Sequence, residues 1–249
     1  MPNPWITVAT GSWIALVFLL ERLRPADCPP RDNGRRIARN LGLGVLAMTA
    51  APLLLWLAGS IAGGLGPVIP LAALGTAGAI AVQLLALDLW TYGMHRAYHR
   101  VPLMWRLHAP HHLDEFLDAS SAFRFHLAEI CLSAAMRLIP AILLGITPWT
   151  MLLFEAILMA NATFHHSNVR LPAAFERALS WIIVTPSIHW RHHHAIRQDT
   201  DSNYTAILSV WDRLFGSANP KPREIGMKIG AEGEHERSFG GLLIYPFVR

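Results

Sequence analysis

Residues 81–112 read AVQLLALDLWTYGMHRAYHRVPLMWRLHAPHH, an apolar run that passes directly into five histidines. Asp88, Tyr92, His95 and His99 follow one another in steps of four, three and four, so a helix through this stretch carries them on a single face. His95 and His99 form HxxxH, and His108 with His111 and His112 forms HxxHH. A third box, again HxxHH, follows at His189, His192 and His193. Each spacing aims imidazoles at a common point, as a bound metal ion requires. Pro110 lies inside the second box, and that segment is expected to open a new helix.

Twelve of the thirteen histidines fall between positions 95 and 194. Eight imidazoles in three boxes exceed the four to six ligands of one ion, so two ions are implied. Imidazole alone does not select among Zn, Cu, Fe and Ni. HExxH is absent, and the lone ExxH, Glu232 to His235, stands in a polar tail and reads as coincidence. Asp88 is placed to hold the second ring nitrogen of a ligand, a usual duty of a neighbouring carboxylate.

Outward from the boxes the chain is greasy: 53% of its 249 residues are hydrophobic and 15% charged, a balance unlike that of a soluble domain. An integral membrane protein is expected. Apolar stretches run over Trp5–Leu20, Leu41–Ala62, Leu71–Leu87, Leu127–Ile146 and Trp149–Phe164, the last two joined at Pro148 as a hairpin. The first is short for a span. It also lacks a basic leader and a small-residue cleavage site, so it reads as a retained membrane segment.

The fold class is therefore all-α and integral to a membrane, with about four transmembrane helices or hairpin arms beneath a histidine-rich helical cap. One domain over 1–249 is expected: mainly membrane helices over 1–87, box regions over 88–126 and 165–217, a membrane hairpin over 127–164 and a tail over 218–249. Arg22, Arg24, Arg31, Arg35, Arg36 and Arg39 crowd the first connection, while GGLGPVIP and GITPW are uncharged. Positive charge marks the cytoplasmic side, so alternate threading puts the whole histidine cap there. Trp5 and Trp149 then belong to the outer interface, Trp90 and Trp105 to the inner one. That means the inner membrane in a bacterium and the endoplasmic reticulum in a eukaryote.

Arg137 and Glu155 fall inside the hairpin, where they either face each other or snorkel to the surface. Cys28 and Cys131 are far apart and read as free thiols. The formal charge of +4 accompanies no nucleic-acid module, so no nucleic-acid partner is expected. GLGVLA at 42–47 fits GxGxxA but lies within an apolar span, where it serves helix packing.

Four blocks, DLWTYGMHRAYHRVPLMWRLHAPHH (88–112), FLDASSAFRFH (116–126), FHHSNVRLP (164–172) and TPSIHWRHHHAIRQDTDSNYTAILSVWDRLFGS (185–217), resemble the fatty acid hydroxylase superfamily, also called the sterol desaturase family. The resemblance implies membrane di-iron oxygenases. Carried over by position, it implies that His95, His99, His108, His111, His112, His189, His192 and His193 are iron ligands, with His166 an additional one. His126 stands in Arg124-x-His126-x-x-Glu129, where Leu127 replaces the family's proline, and is taken as a further ligand. His165 competes with His166 for its position, while His194 and His235 match no ligand. Asn203 and Asp212 match family residues that support ligands or pack the cap.

The resemblance further implies two iron ions that use O2 to hydroxylate, or desaturate, an unactivated C–H bond of a lipid. No side chain performs that chemistry unaided. Electrons must come from an external reductase, ferredoxin or cytochrome, since no flavin, nicotinamide or haem module is present. Arg191, Arg197 and Arg213 offer a basic docking face for it. Pro102, Leu103 and Met104 are expected beside the lipid's entry. Sterol, fatty acyl and related lipids all remain open as substrates. The rival readings are a metal transporter, which needs ionisable groups along the spans, and a non-catalytic lipid-binding scaffold.

Overall fold

The computed structural model describes residues 4–248. Among them the chain is helical, with only isolated β-bridges in place of strands. Helix α1 covers Pro4–Leu23, α2 Asn33–Leu65 and α3 Gly75–Arg100, the last preceded by a 3₁₀ turn over Ala72–Leu74. Among the described residues, α1, α2 and the segments Ala72–Arg100 and Leu127–Leu144 are the four long and apolar enough to cross a bilayer. The protein is thus integral to a membrane.

The fourth of these segments is broken. Pro140 has no N–H to give the carbonyl four residues earlier, and the segment divides at Arg137 into α5 (Leu127–Met136) and α6 (Leu138–Leu144). Gly145, in a left-handed conformation at φ 61°, ends α6 and lets the chain turn back. The Thr147 side chain caps the N-terminus of α7 (Pro148–His166), accepting from Thr150 N at 3.2 Å. Helix α7 packs against both α1 and α2, and Leu55, Ala134, Met151 and Phe154 meet in the apolar core between the arms. The approach is close: a Cβ at Gly59 of α2 would stand 2.7 Å from the backbone of Pro148. Residues 42–47 belong to α2, where Gly44 packs on Phe123.

The cap is assembled from short helices: α4 (Pro102–His112), α8 (Ala173–Leu179), α9 (Pro186–His192), α10 (Arg197–Thr200), α11 (Val210–Leu214) and α12 (Phe239–Ile244). The second box does not open a helix as Pro110 suggested. Pro102 at the first helical position starts α4, and the box occupies its last turn. Pro110 there forfeits a single hydrogen bond, and the ladder still closes from Leu113 N to Ala109 O at 2.9 Å.

Two parts of the cap come from outside the box regions. The first turns of α2 carry Arg36, whose buried guanidinium bonds Asp114 at 2.8 Å and also Asp118, and Asn40, which donates to Asp114 and Ser120. Arg36 is therefore a cap residue as well as a flanking cation. The tail folds under the third box: Ala195 N donates to Lys228 O, Gly230 N to His193 O, and Arg124 bonds Glu236 at 2.8 Å.

Candidate metal centre

The ends of α3, α4, α7 and α9 converge beneath the cap. They bring nine imidazoles into two groups, within each of which the candidate donor nitrogens all lie within 4.8 Å of one another. One group is His95, His99, His108, His112 and His192; the other is His111, His166, His189 and His193. The second and third boxes each serve both groups, because steps of three and four along a helix fan neighbouring rings to either side.

Hydrogen bonds settle which ring nitrogen carries the proton. A backbone carbonyl only accepts, so His95 Nδ1 donates to Tyr204 O (2.6 Å), His111 Nδ1 to Arg124 O (3.1 Å), His166 Nδ1 to Ala162 O (2.8 Å) and His192 Nδ1 to Ser202 O (2.7 Å). His108 Nδ1 is held by Glu129 at 2.7 Å. Each of these rings therefore turns a bare Nε2 toward the centre.

His111 and His166 face each other Nε2 to Nε2 at 3.2 Å, as do His95 and His108. Opposed lone pairs at that distance repel unless a cation lies between them. Two nitrogens at the usual ~2.0–2.1 Å from one ion lie about 3 Å apart. Burial pushes His108 down to about 3, and holds His111, His112, His189, His192 and His193 well below the ordinary histidine range. The rings are thus neutral donors. His99 Nε2 and His192 Nε2 are buried without a hydrogen-bond partner among the described residues, a costly state for a polar atom that coordination resolves. The donor set fits two metal ions.

The other expected residues take different places. His126 stands outside both groups: its Nδ1 accepts from Ala128 N (3.1 Å) as the cap of α5, and its Nε2 donates to Leu243 O (3.0 Å), so both nitrogens are used. Asp88 does not hold a ligand ring; it accepts from Trp211 Nε1 (2.8 Å) and Leu208 N (3.1 Å), pinning the 207–211 segment to α3. Glu129 takes the role expected of Asp88, and the Arg124-x-His126-x-x-Glu129 pattern was its signal in the sequence. Asp201 Oδ1 lies 3.5 Å from His99 Nδ1. His165 is outside the groups, its ring centroid 3.9 Å from that of His189. His194 bonds Asp199, and His235 is exposed beside Glu115.

Asn203 and Asp212 act through the backbone. Asn203 adopts a positive φ of 54°, a conformation Asn tolerates better than most residues. Between them the neighbouring Ser202 and Tyr204 carbonyls hold His192 and His95. Asp212 fixes this turn by accepting from Tyr204 N (2.8 Å), Thr205 N (2.9 Å) and Ser217 Oγ (2.7 Å).

A cavity of about 170 Å³ opens from the histidines into the membrane helices. His95, His108, His111, His166 and His189 line one end, and Met94, Ala134, Leu158, Met159 and Ala162 line the apolar walls. Pro102, Leu103 and Met104 are not part of this wall; on their side Trp105 packs over His99 and His112. Arg191 is no surface cation either: it is buried and bonds Asp199 (3.1 Å) and Glu224 (2.8 Å). Cys28 and Cys131 are free and exposed.

No solved structure matches this chain. In sequence it is 29% identical over 170 residues to the ornithine lipid hydroxylase OlsE of Rhizobium tropici, covering 68% of this chain and 50% of that protein. It is 30% identical over 133 residues to the alkylglycerol monooxygenase of Homo sapiens, covering 53% and 29%. With a cholesterol 25-hydroxylase-like protein of Danio rerio the figures are 28% over 139 residues, 55% and 54%. The matches span only 29% to 54% of these relatives' own lengths. The sequence model of the fatty acid hydroxylase family matches residues 80–217, more than half of the chain and all of the converging histidines, so the chain belongs to that family.

Proposed function

We propose that the protein is a membrane di-iron oxygenase that hydroxylates a C–H bond of a lipid, with O2 and externally supplied electrons. The observation that carries this reading is the pairing of bare Nε2 atoms at 3.2 Å, twice over, where the histidines line a mainly apolar cavity. The lipid hydroxylases and monooxygenases among its relatives support it. His95, His99, His108, His112 and His192 would hold one iron, and His111, His166, His189 and His193 the other. When bound, the pair of ions supplies the O2-dependent oxidation of an unactivated C–H bond that no side chain performs.

The chain's own residues do the rest. Glu129 and the carbonyls of Ala162, Arg124, Ser202 and Tyr204 hold the protons on Nδ1 and keep each Nε2 available. Tyr98 donates to Glu129 O (3.1 Å), and its ring stacks on His108. The walls formed by Met94, Leu158 and Met159 orient the hydrocarbon and restrict water.

The cap faces the cytoplasm in this reading, following the arginines of residues 22–39. An acidic reductase, ferredoxin or cytochrome would dock there. A hollow of about 950 Å³ on the cap is lined by Arg170, Arg177, Arg213, Lys221 and Arg223 and also by Asp27, Glu176, Asp212 and Glu224, so its charges nearly balance, with Trp190 reached from it. The Trp190 indole donates to His166 O (3.3 Å) and Ser167 O (3.2 Å), which puts an aromatic ring between that hollow and the second histidine group. The boxes, the membrane helices, the hairpin and the tail work as one domain.

The test is lipid profiling of aerated cells making the wild type or His189→Ala, with iron measured on both purified proteins. An oxygen-dependent hydroxylated lipid and bound iron, both lost in the variant, are expected. Zinc without iron from iron-replete cells, or no oxygen-dependent product, overturns the reading.

A further inference from the structure

At the end of the cavity away from the histidines, Arg137 Nη1 and Glu155 Oε1 form an ion pair of 2.6 Å, and both side chains line the cavity wall. A charge pair that is only half-buried, within two helices that the bilayer surrounds, is a costly way to join them. Well-packed apolar residues of the same volume do so as well or better, and ionisable groups at this depth mark places where something polar passes or binds. Among the described residues Glu155 is the sole hydrogen-bonding or ion-pair partner of the Arg137 side chain, which leaves most of a guanidinium's five N–H groups free.

The pair lies at a defined distance from the metal centre. On α7, Glu155, Leu158, Met159, Ala162 and His166 face the cavity in helical steps, and eleven residues of helix from Glu155 to His166 rise about 16 Å. On α5 the same face carries Glu129, Ile130, Ser133, Ala134 and Arg137, and the eight residues from Glu129 to Arg137 rise about 12 Å. Between the two ends the wall is mainly apolar. The cavity is therefore a tube with a hydrogen-bonding station at each end of a hydrocarbon passage.

We propose that Arg137 and Glu155 form a recognition subsite for an oxygen-bearing group of the lipid, a hydroxyl or carbonyl, that lies about 12–16 Å along the molecule from the C–H bond presented to the histidines. A guanidinium donates and a carboxylate accepts, so together they match a hydroxyl, and the guanidinium alone matches a carbonyl. Binding there sets how far the chain reaches and so which carbon is oxidised. The subsite serves as the substrate anchor of the oxygenase reading above and rests on it.

The test measures binding apart from turnover. Purified, metal-loaded wild type and the double variant Arg137→Met with Glu155→Leu are titrated with hexadecan-1-ol, and with hexadecane as apolar control, by displacement of a fluorescent fatty acid. The wild type is expected to prefer the alcohol by about tenfold, the least that a charge-assisted hydrogen bond contributes. The double variant, with unchanged metal content, is expected to lose that preference, and the exchanged pair Arg137→Glu with Glu155→Arg to regain it. If the double variant does not fold, Glu155→Gln, which keeps the side chain's size, is expected to weaken the preference. A folded double variant that keeps the preference, or a wild type without one, overturns the subsite even where hydroxylation proceeds. A wild type that prefers the alcohol but never oxidises lipid overturns the oxygenase reading instead.

Discussion

His111 and His166 direct bare Nε2 atoms at each other across 3.2 Å, because each ring has already given its Nδ1 proton to a backbone carbonyl. Two lone pairs held face to face need a cation. His166→Ala is accordingly expected to halve the metal content of the purified protein and to abolish lipid oxidation. Elemental analysis alongside product assay checks both, and an unchanged metal count would remove His166 from the ligand set.

Acid should unfold the metal-free protein early. His108 titrates near 3 in the folded chain because burial disfavours its charged form, whereas the unfolded chain takes up that proton near 6.5. The unfolded state therefore binds more protons between these values. Stability is complete above about pH 6.5 and falls, by about 1.4 kcal/mol per pH unit for each such histidine, as pH drops toward 3. His111, His112, His189, His192 and His193 add in the same direction. Thermal melts of chelator-treated protein in detergent should show Tm falling steeply from pH 7 to pH 5, and metal reloading should raise Tm at neutral pH.

Glu129 positions His108 through a 2.7 Å hydrogen bond. Glu129→Leu is expected to lower metal affinity about 10–100-fold, the usual cost of losing a ligand's outer partner. Glu129→Gln keeps an acceptor for Nδ1 and should lose less. Competition with a chromogenic chelator measures both.

His126→Ala separates a cap from a ligand. The ring caps α5 and bonds Leu243 O, so the variant should lose about 1 kcal/mol of stability while holding the wild-type number of ions. A drop in metal content would reinstate His126 as a ligand.

Asn203 carries its positive φ between the two carbonyls that hold His95 and His192. Asn203→Gly should keep metal content, since glycine adopts that conformation freely. Asn203→Val should lower metal affinity, since a β-branched residue resists it at a cost of about 1–2 kcal/mol. Chelator competition on the two variants gives the comparison.

The broad design was legible in linear order. Apolar length marked the membrane segments, and the three- and four-residue steps of the boxes marked a histidine face, because both signals are local properties of a helix. His95 with His99, and His108 with His111 and His112, could each be expected on one face on those grounds. What lay beyond reach was whatever depends on partners distant in the chain. Asp88 has the right helical phase to serve a ligand, yet Trp211 and Leu208, more than a hundred residues on, claim its carboxylate. Pro110 looks like a helix start, yet Pro102 had already begun the helix.

The sequence by itself determined a membrane protein with three histidine boxes, through composition and periodicity. Only the tertiary structure decided how nine histidines divide into two groups, which nitrogen of each ring is bare, that His126 caps a helix, and that Arg137 meets Glu155 on a cavity wall. A ring's tautomer and a charge's partner are set by the groups packed against them, and in this chain those groups come from α5, α7, the tail and the segments at Arg124 and at residues 202–204, brought together only by folding.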